Sequence, residues 1–122
     1  MQPVVVITGA ASGIGKGIAK KMANGYSLIL VDVNSAPLEV VAEEIRKEGA
    51  MVSVVVGDVS LRETHRKSVA EASKIGTLTG WVNCAGIGGI FPLHALPENQ
   101  TDVMKVLEVN QIGTMWGCAE AV

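Results

Sequence analysis

The chain alternates between short runs of β-branched residues and stretches in which apolar residues recur every three or four positions. The first pattern signals strands and the second amphipathic helices. Val4-Val5-Val6-Ile7 sits in a first strand over residues 3–8. After a glycine-rich turn, Ile14, Ile18 and Met22 share one predicted helix face, and Asn24-Gly25 is a stop signal. Residues 27–31 predict a second strand. Ser35 is placed to cap a second helix, whose Leu38, Val41, Ala42 and Ile45 follow the i, i+3, i+4, i+7 rule up to Gly49. A third strand is expected over 51–56. Ser60 and Glu63 have capping-box spacing and open a helix running to about Ile75. A fourth strand is expected over 78–85. A Gly- and Pro-containing loop then leads to a last helix, capped by Thr101 and running toward residue 122. The order βαβαβαβα predicts an α/β fold: a doubly wound, parallel, Rossmann-type sheet with right-handed crossovers.

Composition narrows the class. With 122 residues there is room for one domain, which buries roughly two-thirds of its unfolded surface. Aromatic residues make up 3% against 48% hydrophobic, so the core has to be aliphatic. The strand runs suit a sheet covered on both faces. A net charge of −2 without a basic cluster argues against nucleic acid as a partner. No apolar run approaches the ~20 residues of a bilayer span, and the N-terminus lacks a basic region ahead of its apolar run. Neither a membrane nor a secretory route is predicted, and the expected compartment is cytoplasmic. Cys84 and Cys118 make no disulfide framework or metal site and read as reduced, partly buried small residues.

The candidate chemistry lies in Thr8-Gly9-Ala10-Ala11-Ser12-Gly13-Ile14-Gly15, between the first strand and first helix. Glycine permits positive φ and close backbone approach, while a helix N-terminus offers free N–H groups to an anion. That combination suits a pyrophosphate. It is not a P-loop: ahead of Gly15-Lys16 the first glycine position holds Ala10, and Gly17 follows where a hydroxyl would meet magnesium. The GxGxxG spacing fails as well, because Ile18 stands where the third glycine belongs. The remaining pattern is GxxxGxG.

This pattern resembles the TGxxxGIG turn of the short-chain dehydrogenases/reductases. Further family positions follow in order: Asp32 after the second strand, Asp58-Val59 after the third, Asn83-Cys84-Ala85-Gly86 after the fourth, and Val109-Asn110 in the last helix. The resemblance implies a strand order 3-2-1-4 and an NAD(H)-dependent alcohol/ketone oxidoreductase. It assigns Thr8, Gly9, Ser12, Gly13, Ile14 and Gly15 to the cofactor phosphates. Asp32 and Val33 fall to the adenosine ribose, Asp58 and Val59 to the adenine, and Asn83, Ala85 and Gly86 to the cofactor ribose. Asp32 comes 17 residues after Gly15, near the spacing of a ribose-binding carboxylate. Such a carboxylate repels a 2′-phosphate, and neither Ser12 nor Val33 is basic, so NAD is expected over NADP. Cys84 departs from the family's second Asn. The resemblance makes Asn110 a relay residue that holds a water. His65 and His94 match no catalytic position and are expected at the surface.

The family's Ser and Tyr-x-x-x-Lys are absent: Leu30 stands four residues after the single tyrosine, Tyr26. Family members are roughly twice this length. The chain is therefore expected to be the front, dinucleotide-binding part (1–122) of one incomplete domain, inactive alone. Its expected partners are a small alcohol or carbonyl substrate and either a second copy or the missing half. The loop 87–97 would border the substrate. A non-enzymatic NAD-binding or regulatory module is the alternative. A flavodoxin-like phospho-receiver is disfavoured, because the first strand ends in Thr8-Gly9 without acidic residues.

Overall fold

The computed structural model describes residues 2–87 and 100–122. Four strands, β1 (Pro3–Thr8), β2 (Ser27–Asp32), β3 (Val52–Val56) and β4 (Thr77–Val82), form one parallel sheet in the order β3-β2-β1-β4. The helices are α1 (Gly13–Met22), α2 (Ser35–Lys47), α3 (Arg62–Ile75), α4 (Gln100–Leu107) and α5 (Gly113–Ala121). A π-helical turn, Glu108–Ile112, joins the last two.

Period-two alternation sorts the strand residues onto two faces. Val5, Ile7, Leu28, Leu30 and Val52 pack with Ala19 of α1 and Leu38, Val41, Ala42 and Ile45 of α2. Val4, Val6, Ile29, Val31 and Val55 pack on the opposite side with Ala72 of α3 and Val109 of the π turn. β1 and β2 are therefore apolar on both faces and buried except at Pro3 and Asp32, as a covered parallel sheet requires. β4 forms an edge. Its register against β1 shifts between Val4 and Val5, beside Thr79, whose hydroxyl donates to the Val4 carbonyl at 3.3 Å.

Several local expectations change. Ile14 is 75% exposed, because the first turn of α1 overhangs an open cleft; Gly15 and Ala19 face the sheet, with Ile18 and Met22 packed beside them. Neither proposed serine cap forms. Asn34, not Ser35, precedes α2, and Leu61, not Ser60, precedes α3; neither gives a side-chain capping bond. Carboxylates organise these turns instead: Asp32 Oδ1 accepts from Asn34 N–H, and Asp58 Oδ1 accepts from the Ser60 hydroxyl. Strand β3 starts at Val52 rather than 51, and β4 ends at Val82 rather than 85. Past Val82 the backbone turns away to meet the Thr8 hydroxyl. Cys84 is half-buried and Cys118 is exposed.

His65, expected at the surface, is buried. Its Nε2 lies 2.7 Å from the Val59 carbonyl, and its ring stacks on Trp81 with centroids 5.9 Å apart. His94 and most of the loop 87–97 fall outside the described residues, as does the expected Thr101 cap.

Candidate functional site

At the carboxyl ends of the strands lies a cleft of about 410 Å³, within the size range of small-molecule sites. Its floor is the glycine turn. Gly9 and Gly13 take positive φ, +68° and +55°. Gly15 lies so close to the Gly9 carbonyl that a Cβ there would collide with it, and a Cβ on Gly9 would meet the Ala85 backbone at 2.7 Å. By contrast, a Cβ on Gly13 would meet nothing within 4 Å. Gly9 and Gly15 thus bring chain segments together, whereas Gly13 leaves open space above the turn. The first intrahelical bond of α1 runs from Lys16 N–H to the Ser12 carbonyl at 3.2 Å, and Ser12 supplies no side-chain cap. The N–H groups of Gly13, Ile14 and Gly15 precede that bond and point out of the helix start toward any anion in the cleft.

Asp32, at the end of β2, borders the same space with Val33 and Asn34. Its carboxylate is held at both oxygens: Oδ2 accepts from Ala11 N–H at 3.1 Å and Oδ1 from Asn34 N–H at 3.0 Å. An ionised carboxylate has about four acceptor positions. Among the described residues two of them stay open to hydroxyl donors.

Asp58 follows β3 through Gly57, whose N–H donates to the Asp32 carbonyl. Asp58 Oδ1 takes Ser60 N–H at 2.9 Å and the Ser60 hydroxyl at 2.7 Å, while Oδ2 faces Lys105 Nζ of α4 at 2.7 Å. Burial works to raise the Asp58 carboxyl. The bond from Lys105, the two from Ser60 and the lysine charge outweigh it and hold the group below its ordinary value. The same bond to Asp58 raises Lys105.

Cys84, Ala85, Gly86 and Ile87 make the far wall. Thr8 hangs this wall from β1: its hydroxyl oxygen accepts from the N–H groups of Cys84 and Ala85, each at 3.1 Å. Asn110 holds the next residue by both polar atoms. Its Oδ1 accepts from Ile87 N–H and its Nδ2 donates to the Ile87 carbonyl, each at 2.8 Å.

The sequence model of the short chain dehydrogenase family matches residues 3–122. The chain belongs to that family. Among curated relatives it is 33% identical over 99% of its length to a diacetyl reductase [(S)-acetoin forming] of Staphylococcus epidermidis, covering 47% of that protein. It is 39% identical over 92% of its length to 17-beta-hydroxysteroid dehydrogenase 13 of Rattus norvegicus, covering 37%. Among solved structures it matches an alcohol dehydrogenase of Thermococcus sibiricus, complexed with 5-hydroxy-NADP, at a TM-score of 0.88 and 31% identity; this covers 98% of the chain and 52% of that structure. The chain thus spans about half the length, or less, of these short-chain dehydrogenases.

In this short-chain dehydrogenase chain, Gly9, Ser12, Gly13, Ile14, Gly15, Asp32, Val33, Asp58, Val59, Ala85 and Gly86 all border the one cleft. Three residues named from the family pattern, Thr8, Asn83 and Asn110, do not. Thr8 is buried beneath the wall it supports. The Asn83 side chain turns away, accepting from Trp81 Nε1 at 3.1 Å and donating toward Cys118 Sγ at 3.6 Å. Asn110 acts on the wall through Ile87. Lys105 also borders the cleft. The sequence carried no signal for it, because a single lysine on an amphipathic helix looks like any solvated charge. Tyr26 precedes β2, at the opposite end of the sheet from Asp32. Six strand residues separate the two ends, about 20 Å.

Proposed function

We propose that this chain supplies the dinucleotide-binding half of an NAD(H)-dependent oxidoreductase that interconverts an alcohol and a carbonyl compound. The observation carrying this reading is that the N-terminus of α1 and the Asp32 carboxylate face the same cleft. The turn of Gly13 and the N–H groups after it suit a pyrophosphate. The two open acceptor positions of Asp32 suit the 2′- and 3′-hydroxyls of an adenosine ribose. Each charge-assisted bond of this kind contributes roughly 1.5–3 kcal/mol. A 2′-phosphate would bring its charge against that carboxylate, which favours NAD over NADP. The cofactor's nicotinamide ring would supply the hydride acceptor or donor; the residues here bind and orient it.

The resemblance gives the acid–base step at the substrate oxygen to a Tyr-x-x-x-Lys pair, and the sequence has one tyrosine, Tyr26, with Leu30 four residues on. Tyr26 lies about 20 Å away, at the other end of β2. We therefore assign that step to residues outside this chain, and expect the 122-residue chain alone to reduce no carbonyl compound. Titration with NAD and with NADP tests the cofactor assignment. The wild-type chain should bind NAD more tightly, and Asp32→Ala should cut that preference about tenfold or more. An unchanged NAD/NADP ratio would remove Asp32 from the ribose site. Carbonyl reduction by the chain alone would overturn the division of labour.

A further inference from the structure

Counting acceptor positions at Asp58 leads to Lys105. A carboxylate oxygen takes about two hydrogen bonds. Asp58 Oδ1 already takes two from Ser60, so it is filled. Among the described residues Oδ2 takes one, from Lys105 Nζ at 2.7 Å, and keeps one position open. Any ligand donor reaching this carboxylate from the cleft must therefore use Oδ2, the atom that Lys105 grips.

We propose that Lys105 is a positioning residue of the purine pocket, fixing Asp58 Oδ2 so that its remaining lone pair reads an exocyclic amine. The inference rests on the dinucleotide reading above. Both side chains line the cleft, and they come from different elements: Asp58 from the turn after β3, Lys105 from α4. Ser60 anchors one carboxylate oxygen from its own turn. Without Lys105 the other oxygen would have no protein donor among the described residues. The carboxylate would then turn about the Ser60 bonds and meet water as readily as a base. The charges near the pair are consistent with this role. Glu108 lies close enough to raise Lys105 further, which keeps the ammonium protonated.

The chemistry to be read is an amine against a carbonyl. Adenine presents an amino group at C6, which donates to Oδ2. Hypoxanthine presents an oxygen there, which Oδ2 repels and leaves unpaired. The two bases are alike in shape and stacking, but deamination also turns N1 from an acceptor into an N–H donor. The contact at C6 is therefore assigned by how the Asp58 and Lys105 variants change the preference and not by the base swap alone.

The test is calorimetric titration of the 122-residue chain with NAD and with its hypoxanthine analogue, deamino-NAD. Wild type, Lys105→Gln, Lys105→Arg, Asp58→Asn and the double variant would be compared at one pH. Wild type should prefer NAD about tenfold, the size of a lost charge-assisted hydrogen bond. Lys105→Gln should reduce that preference about three- to fivefold, as expected for a half-exposed ion pair. Lys105→Arg should restore most of it. Asp58→Asn should abolish the preference, because an amide presents either a donor or an acceptor. Adding Lys105→Gln to Asp58→Asn should then change nothing further. Equal thermal midpoints across the set would separate positioning from folding. Should wild type bind neither dinucleotide, the dinucleotide reading falls and this inference with it. If NAD binds but Lys105→Gln keeps the full adenine preference, the inference alone is overturned.

Discussion

The backbone N–H groups of Cys84 and Ala85 lie past the last ladder pair of β4 and donate to a side chain instead, the Thr8 hydroxyl. Thr8→Val keeps the shape of that side chain but removes the acceptor for both groups at once. Partly buried donors left unpaired cost about 1–3 kcal/mol each. Thr8→Val should therefore lower unfolding free energy by about 2 kcal/mol or more, read by urea denaturation, and Thr8→Ser should recover most of it. If the two variants proved equally stable, the wall would not hang on this hydroxyl. The glycines of the turn divide in the same physical way. Gly13→Ala meets open space and pays only for its positive φ, about 1–2 kcal/mol. Gly15→Ala drives a methyl into the Gly9 carbonyl and should cost more, about 3 kcal/mol, in the same assay. The motif was legible as a string of letters, because few other strand-to-helix turns need three glycines. Which glycine packs and which faces the cleft was not legible, since that depends on what lies across the turn.

Helix boundaries show where reading by element succeeds and where it stops. The apolar period of α2 identified all four of its buried residues, Leu38, Val41, Ala42 and Ile45, because burial and the 3.6-residue repeat have the same cause. The serine caps failed for local reasons: Pro37 offers no N–H two residues after Ser35, and Asp58 draws the Ser60 hydroxyl into donating to its carboxylate. His65 was misplaced for a related reason: a polar residue on a helix looks solvent-facing until a carbonyl and an aromatic ring are brought to it from other elements. Lys105 and the π turn escaped for want of any local signal. The turn matters to α5, which begins one residue after it. Gly113 and Gly117 let α5 approach closely: a Cβ on Gly113 would strike Val59 Cγ2 at 2.8 Å, and one on Gly117 would strike Asn83 Oδ1. Glu120 then ties α5 to α3, its Oε1 2.6 Å from Arg62 Nε and 3.5 Å from Arg66 Nε. The hydrogen bond from Arg62, together with the charges of both arginines, holds the Glu120 carboxyl below its ordinary value. A carboxyl lowered by folding adds stability above its unfolded value of 4.5 and loses it as pH falls through the lower, folded value. Wild type should therefore lose more of its thermal stability than Glu120→Gln as pH falls below about 4.5. Parallel melting curves for the two proteins across that range would mean that the tie contributes nothing.

At the scale of the molecule, the strand order β3-β2-β1-β4 puts the reversal of strand order between β1 and β4, and the cleft opens at the carboxyl ends of the strands. The alternating patterns alone gave the parallel sheet; the strand order came from the family resemblance. The same topology leaves two apolar features uncovered. β4 is an edge whose residues are half-buried or exposed. Along the final helical run, Met104, Leu107, Ile112 and Met115 are 40–60% exposed. In an α-helix, Leu107 and Ile112, five residues apart, would point in different directions. The i to i+5 bonding of the π turn, closed by Gly113 N–H on the Glu108 carbonyl, brings them back toward one face. The four side chains then form one apolar stripe. Such a stripe favours association with a like surface, because covering it removes apolar area from water at about 25 cal/mol per Å². The 122-residue chain should therefore show a sedimentation coefficient that rises with concentration. Leu107→Glu with Met115→Lys should suppress that rise while leaving the far-ultraviolet circular dichroism unchanged, since both side chains already meet solvent. An edge-driven association would persist in this double variant and respond instead to a charge placed on β4, at the exposed Thr79. A single monomeric boundary for wild type at every concentration would mean that neither surface drives self-association.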